Sequence, residues 1–472
     1  MPMRISVLAV VFLVVASTSS NSFAQSRAVG WKPTKPIPST AGATPPVQKR
    51  ATKKRAMPAA TRIGATAPLP APENVPTPSP VPTYTEEMPS DGPMYEPQAG
   101  FSPCDCASGE DYWDEGCCDA GPRVWARAEY LLWWTKGMDV PALATTSPED
   151  TPQDEAGVLG EPGTRILFGN GGLNDHAQSG GRFSMGAWLD DSHVEGIEVN
   201  YLTLGQQSDH FSGSSDEFDI LARPFFDVQT GTQAASPIAY PDVISGDMNI
   251  AATTSFQTLE ILFRYVAKRT CCTRTDFFVG YRYGDLRDHL RVGSFTTALS
   301  GDLEGDTFEV FDQFNTRNTF NGLDLGMTYQ WEMRPCWTWE LSAKVALGTT
   351  VSHIGINGAT TITVPDEAPV TTVGGLLTQG TNIGNYERSE FGSIGEFGLT
   401  SRRSFSCGLT AVVGYRFLYW ADVARAGKQI DTRINPTQVG GEALVGAALP
   451  AFLNRTETFW AQGFHFGLEY AF

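Results

Sequence analysis

The sequence FWAQGFHFGLEYAF, from Phe459 to Phe472, decides the fold. In its last nine residues large apolar side chains occupy every second position, and histidine, glycine, glutamate and alanine lie between them. Successive side chains of a β-strand point to opposite faces, so one face of this segment is apolar and the other is mostly polar or small. A transmembrane β-barrel needs such strands because lipid-facing and lumen-facing residues alternate. The side chains predicted to face lipid are Phe464, Phe466, Leu468, Tyr470 and Phe472.

The edge strand of a soluble sandwich is the alternative interpretation, and the start of the chain argues against it. Arg4 precedes an apolar run from Val7 to Ala16, and a polar stretch then ends at Ala24. This layout predicts a secretory signal peptide over residues 1–24, cleaved before Gln25. No later stretch supplies the roughly 20 apolar residues of a membrane helix. We therefore expect any membrane-spanning part to be a barrel.

Residues 25–100 differ in composition from everything that follows them. They contain 16 of the 31 prolines and few large aliphatic side chains. Such a segment buries too little apolar surface to offset its ordering entropy, which predicts a disordered Pro/Ala-rich basic tether. Residues 25–72 carry nine Lys or Arg and no Asp or Glu. The tether is either a solvated linker or a segment that contacts an anionic cell-wall polymer or the surface of the inner leaflet.

From residue 123 onward, ten segments alternate over about ten residues, the length of a tilted strand that crosses a bilayer. Their links alternate between short and long, as periplasmic turns and outward loops do. The sequence predicts an all-β fold, a transmembrane antiparallel up-and-down β-barrel over residues 123–472. Leu290–Phe295 and Phe308–Phe314 also alternate, and they either raise the count to twelve strands or extend a loop beyond the membrane. The ten segments are 123–134, 181–191, 194–204, 254–267, 275–286, 317–332, 337–350, 389–401, 405–419 and 459–472.

Tryptophan and tyrosine cluster at the predicted strand ends, where amphipathic rings favour the headgroup level. We therefore predict an aromatic girdle that includes Trp133, Trp134, Trp331, Trp337, Trp339, Tyr419, Trp420 and Trp460.

Charged residues of both signs fall on the opposite face of the predicted strands. Barrels of about eight strands have interiors that side chains can fill, whereas a wide aqueous channel needs about 16 strands. We expect a ten-strand lumen that is mostly closed by ion pairs and leaves at most a narrow polar path. The predicted lumen-lining residues are Arg127, Glu129, Arg182, Glu198, Glu260, Arg264, Asp276, Arg282, Asp324, Glu340, Lys344, Glu396, Arg416 and Glu469.

All eight cysteines fall on the predicted periplasmic side of the ten-strand layout. An even number of cysteines in an exported protein favours disulfides. We predict that residues 101–122 form a Cys-rich periplasmic lead-in with at least one bridge to a cysteine near a short turn. A metal site is the alternative, although the spacing matches no zinc motif. The disulfide candidates are Cys104, Cys106, Cys117, Cys118, Cys271, Cys272, Cys336 and Cys407.

Sequence signatures of catalysis are missing. The histidines are isolated, and no HExxH, GxSxG, phosphate-binding or dinucleotide-binding pattern occurs. The sequence therefore predicts no enzyme, no cofactor, no metal site and no nucleic-acid partner. The acidic outward loops are either solvated or bridged by divalent cations.

Three stretches carry a family resemblance: WARAEYLLWWTKGMDVPAL (Trp125 to Leu143), VVGYRFLYWADVARAGKQIDTRIN (Val412 to Asn435) and the closing Phe459–Phe472 segment. Together they resemble the planctomycete outer-membrane barrels of the seventh β-barrel porin family, over about residues 120–472. The resemblance implies an outer-membrane location, a signal peptide and a cysteine-bearing lead-in, but no solute.

Taken together, these observations predict a narrow or gated channel for small polar solutes. A non-conducting structural or surface-interaction barrel with acidic loops is one alternative, and a soluble adhesin sandwich is another. The expected partners are the lipid bilayer of the outer membrane and the barrel-assembly machinery, which would act on the C-terminal strand.

Overall fold

The computed structural model describes residues 122–270, 272–334, 337–405, 408–439 and 443–472. The predicted signal peptide, the tether and the lead-in up to residue 121 lie outside these residues. Within the described ranges, no helix is long and apolar enough to span a membrane.

The described residues form sixteen strands and two short 3-10 helices, Ala426–Gln429 and Pro436–Gln438. In chain order the strands are β1 (Val124–Thr135), β2 (Met138–Thr146), β3 (Arg165–Leu173), β4 (Gln178–Trp188), β5 (Glu195–Ser214), β6 (Leu221–Asp227), β7 (Thr232–Ala239), β8 (Ile244–Arg269), β9 (Thr273–Ala298), β10 (Thr307–Arg334), β11 (Trp337–Thr363), β12 (Val370–Val373), β13 (Gly384–Ser404), β14 (Leu409–Ala424), β15 (Arg433–Ile434) and β16 (Thr456–Ala471).

Ten of these strands close into a barrel. Their order around the ring is β1, β4, β5, β8, β9, β10, β11, β13, β14 and β16, and β16 pairs with β1. Every neighbouring pair in the ring is antiparallel. The predicted ten-strand up-and-down barrel is thus confirmed. The soluble sandwich is wrong, because the main sheet closes on itself and its outward apolar side chains are exposed instead of packed against a second sheet.

The twelve-strand alternative is also wrong. Leu290–Phe295 continues β9, and Phe308–Phe314 continues β10, with the two strands paired in one register from Thr273 to Thr297. Much of the predicted loop 287–316 is therefore strand, and residues 299–306 form its tip. We call the end of the barrel with links such as 189–194 the short-turn end and the opposite end the long-loop end.

The apolar side chains of strand β10 point outward in one part of the strand and inward in the other. Near the short-turn end the outward side chains are apolar, and Leu323, Leu325, Met327 and Tyr329 are 39–52 % exposed. Beyond residue 322 toward the long-loop end, the outward side chains are mainly polar. The inward side chains there include the fully buried Phe314 and Phe320. The first part matches a strand in lipid, and the second matches a strand of a water-soluble protein around its own core. The barrel thus extends past the bilayer on the long-loop side.

The long loops build a second sheet, of β15, β6, β2 and β3 in that order, with β7 paired to β6. Its apolar side chains join inward residues of the extended barrel strands in one buried core, which includes Met138, Leu221, Ile250, Val292 and Phe314. The links predicted as excursions from the barrel are thus a folded, loop-built sheet.

Asp312 fastens this loop region to the barrel wall. Its carboxylate is fully buried on β10 and pairs with Arg223 of β6. The same carboxylate accepts hydrogen bonds from the backbone N–H groups of Leu377 (2.9 Å) and Thr378 (2.8 Å). A carboxylate with several donors is a strong, fixed contact. The loop after β12 and the strand β6 are therefore held against one point on β10.

A second carboxylate, Asp431, organises the loop between β14 and β16 outside the membrane. It accepts hydrogen bonds from the Arg433 side chain (2.9 Å) and the Ala451 backbone N–H (3.0 Å). Burial by itself would raise the pKa of Asp431, but these hydrogen bonds outweigh it, and the pKa is lowered from its usual value.

We expect the stabilisation by Asp431 to be lost in acid. Because the folded-state pKa is lowered, the contribution is complete above the unfolded-state pKa of about 3.9 and disappears as the pH falls through the folded-state value. The difference in unfolding temperature between wild type and Asp431→Asn, measured from pH 7 to pH 3, should shrink toward zero at the acidic end. A constant difference across that range would contradict this role.

Candidate functional site

The fourteen predicted lumen-lining residues lie inside the barrel between the short-turn end and its middle. Ten of them are buried, and the side chains of Arg127, Glu198, Arg264 and Lys344 are only 8–12 % exposed. The five C-terminal side chains predicted to face lipid are 45–61 % exposed, on the opposite face of β16. The alternation in the sequence therefore matches the two faces of the barrel wall.

Arg282 is the centre of the deepest ion-pair cluster. Its guanidinium lies 2.7 Å from Glu260 Oε1, and it also pairs with Glu396. Lys344 Nζ approaches Glu260 at 2.6 Å, and Arg416 Nη1 approaches Glu396 at 2.5 Å. These side chains are at most 8 % exposed. Buried charges persist where each has a partner with good geometry, so these pairs tie β8, β9, β11, β13 and β14 together across the lumen.

Asp324, on β10, is the exception within this cluster. Both of its carboxylate oxygens are fully buried and have no hydrogen-bond partner among the described residues. The nearest cation is Arg282 Nη1, 3.7 Å from Oδ2.

A second group of ion pairs lies closer to the short-turn end. Arg127 Nη2 is 2.6 Å from Glu469 Oε2, which joins the first and last strands. Arg402 bridges Glu340 (3.1 Å) and Glu469. The alternation in the sequence predicts a short link at Arg402, but β13 continues to Ser404 and carries this side chain into the lumen.

Four further ion pairs lie at this end of the barrel. Arg264 pairs with Asp276 and lies 3.2 Å from Glu198, and Arg182 pairs with Glu129. Arg274, which was also predicted to lie in a turn, contacts Asp276 at 2.7 Å and stacks over Trp188. Alternation of strand residues could have identified Arg274 and Arg402 if the strand ends had been set two residues farther out.

A small polar cavity of about 40 Å³ lies within these ion pairs. A water needs about 10–15 Å³ by this measure, so the cavity has room for about three waters. Six cationic side chains line it: Arg127, Arg182, Arg264, Arg282, Lys344 and Arg416. Four carboxylates also line it: Glu198, Glu260, Glu340 and Glu396.

An apolar layer crosses the lumen on the long-loop side of the ion pairs. Nine of the ten barrel strands contribute to it, and each member is at most 4 % exposed. The rings of Phe256 and Phe459 lie 5.2 Å apart, and Trp420 packs against both Phe256 (6.4 Å) and Phe320 (6.0 Å). The full layer is Leu131, Trp133, Leu202, Leu204, Phe256, Leu286, Phe320, Ala346, Ile394, Leu418, Trp420, Val423, Phe459 and Ala461.

The girdle prediction is wrong for two of the residues in this layer. Trp133 and Trp420 are fully buried inside the barrel, because their positions along β1 and β14 put them on the inward face. Trp134 faces outward and meets Phe464 edge to face at 6.4 Å. Position at a predicted strand end does not distinguish these cases, whereas the parity of the residue along the strand does.

A fully buried ion pair lies beyond the apolar layer. Arg425 Nε, just after β14, is 2.5 Å from Asp288 Oδ2 on β9, and neither side chain is exposed. Asp288 also accepts a hydrogen bond from Thr254 Oγ1 (2.9 Å), and the Arg425 guanidinium lies over Phe459 at 5.6 Å. The long loop after β14 therefore starts inside the barrel and is anchored to the opposite wall.

Seven of the eight cysteines lie outside the described residues. Cys272 is the one cysteine within them, and it is disulfide-bonded. Cys104, Cys106, Cys117, Cys118, Cys271, Cys336 and Cys407 lie outside, so the proposed bridges from the lead-in stay predictions. In the part of the chain that is described, no group of three or more potential metal ligands occurs.

Comparison with known proteins agrees with this architecture. A family model described as "Putative beta barrel porin-7 (BBP7)" matches residues 125–472. The chain belongs to this family. The match confirms the porin-family resemblance over the whole barrel, and it places the protein among outer-membrane β-barrels. No curated protein matches the chain.

Among solved structures, the outer membrane protease OmpT from Escherichia coli is similar with a TM-score of 0.35 and 8 % identity, covering 74 % of this chain and 97 % of that one. A FadL homologue from Pseudomonas aeruginosa has a TM-score of 0.19 and 7 % identity, with coverages of 75 % and 90 %. The toluene transporter TodX of P. putida has a TM-score of 0.18 and 7 % identity, with coverages of 75 % and 91 %.

Proposed function

We propose that this porin-family protein is a gated outer-membrane channel for small polar solutes and that its lumen is closed in this conformation. The observation that carries the proposal is the apolar layer. Ions and polar solutes do not cross a dry apolar constriction, so such a layer works as a gate. The ion pairs on its short-turn side and the polar cavity among them offer a hydrated path up to that gate. Membership of a porin family supports transport rather than catalysis, and we propose no catalytic residue.

Conductance in planar bilayers tests this proposal. Wild-type barrels should be closed for most of the recording, with rare openings. Phe256→Ala combined with Phe459→Ala removes two contacting rings from the layer, so the double variant should open often and conduct in discrete steps. Phe314→Ala is the comparison, because Phe314 is equally buried on the inward face of β10 but belongs to the loop-built core beyond the layer, and this variant should stay closed if the apolar layer is the gate. Each large-to-small change costs about 3–5 kcal/mol of stability, so heat-modifiable migration on a gel must first verify that each variant is folded.

A second candidate function is a non-conducting barrel that serves surface interactions. The loop-built sheet favours it, because a folded region clamped through Asp312 presents a fixed surface at the long-loop end. If the Phe256/Phe459 double variant is folded and stays silent in bilayers, both alone and with Phe314→Ala added in the loop-built core, this second function replaces the channel.

The remaining expectations concern export and partners, and we keep them as proposals. A cleaved signal peptide over residues 1–24 would deliver the chain to the periplasm, and β16 would be the strand that the barrel-assembly machinery handles. The basic tether would contact an anionic cell-wall polymer. Pull-down with cell-wall material should be weakened by deletion of residues 25–72, and unchanged pull-down would contradict the contact.

A further inference from the structure

We propose that the polar cavity on the short-turn side of the apolar layer is a binding site for a small oxyanion. The cavity wall is more cationic than the lumen as a whole. Six Arg or Lys side chains and four carboxylates line it, whereas the carboxylates of Glu129, Asp276 and Glu469, which pair with lining arginines, are not part of the wall. The arginine side chains therefore line the cavity, while some of the carboxylates that neutralise them lie behind the arginines, away from the cavity.

The four carboxylates of the wall are already engaged. Glu396 uses one oxygen for Arg416 and the other for Arg282. Glu260 likewise divides its oxygens between Arg282 and Lys344. A carboxylate that is held by two cations repels an incoming anion less than a free one does, because its charge is locally compensated.

Glu198 and Glu340 are engaged as well. Glu198 binds Asn200 and Arg264, and Glu340 accepts hydrogen bonds from Gln330 (2.8 Å) and Arg402 (3.1 Å). The cavity therefore has no lining carboxylate that stands without a cationic or amide partner.

Unpartnered polar atoms of the wall point to the same ligand class. Among the described residues that line the cavity, three have a buried polar atom without a hydrogen-bond partner: Thr328 Oγ1, Arg282 Nη1 and Arg416 Nε. All three can donate a hydrogen bond, and two belong to cations. Arg282 Nη1 also lies 3.7 Å from Asp324 Oδ2, a carboxylate that does not line the cavity. Leaving a buried donor unpaired is costly, so a ligand that accepts from these groups is favoured.

The size of the cavity restricts the ligand. Room for about three waters corresponds to an anion of about three or four non-hydrogen atoms, such as nitrate, formate or bicarbonate. This inference deepens the proposed function, since it names small oxyanions as the solute class that reaches the gate. Binding does not require an open gate, so a binding measurement and a conductance measurement can fail separately.

The test measures binding of nitrate to the purified full-length protein in non-ionic detergent. Unfolding temperature is recorded as sodium nitrate replaces sodium gluconate at constant ionic strength, because gluconate has the same charge and is too large for the cavity. We expect a saturable rise in unfolding temperature with nitrate. Equal curves in the two salts would overturn the proposal, whatever the bilayer recordings show.

Two matched variants locate the site. Thr328→Val removes an unpartnered hydroxyl from the cavity wall with almost no change in side-chain shape, and it should weaken nitrate binding about tenfold, the worth of one hydrogen bond to a charged group. Thr316→Val makes the same change on the same strand, where the hydroxyl is also buried and unpartnered but lies outside the cavity. It should bind nitrate like wild type. If the two variants bind nitrate equally, the anion site is not in this cavity.

Discussion

Replacement of Arg425 by methionine is expected to destabilise the folded barrel by about 3–5 kcal/mol. The substitution leaves the Asp288 carboxylate fully buried without its cation, and the remaining donors, the Thr254 hydroxyl and the Ala426 backbone N–H, cannot compensate a full negative charge. It also removes the stacking of the guanidinium over Phe459. The free energy of unfolding, from urea titrations of the barrel refolded into lipid vesicles, should show a lower midpoint with an unchanged slope.

A double variant separates lost charge pairing from lost packing. Asp288→Leu together with Arg425→Met replaces both charges by apolar side chains, and it should recover most of the stability because a buried pair gains little over a well-packed apolar one. Equal instability of the single and the double variant would mean that Arg425 acts through packing alone. The anchored loop starts beside the apolar layer. The measured loss of stability therefore also indicates how much the Asp288–Arg425 pair stabilises the region around the proposed gate.

The sequence was informative about the barrel because lipid imposes a strict period of two. On the outward face of a membrane strand, every second side chain must be apolar over about ten residues. The C-terminal part of β16 and the outward positions Leu323 to Tyr329 show this pattern without interruption. The strand count followed from the same pattern, and only the ends were misplaced. Strands β9, β10 and β11 run far past the membrane, where the outward face turns polar and the pattern that marks lipid contact ends.

The apolar layer and the loop-built sheet could not be predicted in this way. A residue such as Trp420 is apolar whether it meets lipid or fills a lumen, and its environment depends on which strands lie opposite across the barrel. Trp133 and Phe256 belong to β1 and β8, so their shared layer is a tertiary contact that no local pattern records. The partners of Asp312 are similarly distant, since Arg223 lies 89 positions away. The charged lumen residues could be predicted more readily, because charges at every other position of a membrane strand must avoid lipid and therefore face the lumen.

Introduction of arginine at Met327 is the second large effect that we expect. Met327 lies at the middle of the outward apolar stripe of β10, opposite Phe277 of β9 and Ala343 of β11. It is 40 % exposed, and its neighbour Phe277 is 48 % exposed, so a guanidinium here would face acyl chains. Arginine at the middle of the bilayer costs a barrel about 2–4 kcal/mol, measured as the free energy of unfolding from vesicles.

The matched control is Glu309→Arg on the same strand. Glu309 is an exposed residue near the long-loop end of β10, beyond the part whose outward side chains are apolar. Arginine at that position meets water, so we expect a change within about 0.5 kcal/mol. A cost at Glu309 as large as that at Met327 would show that the bilayer does not end where the outward face of β10 turns polar.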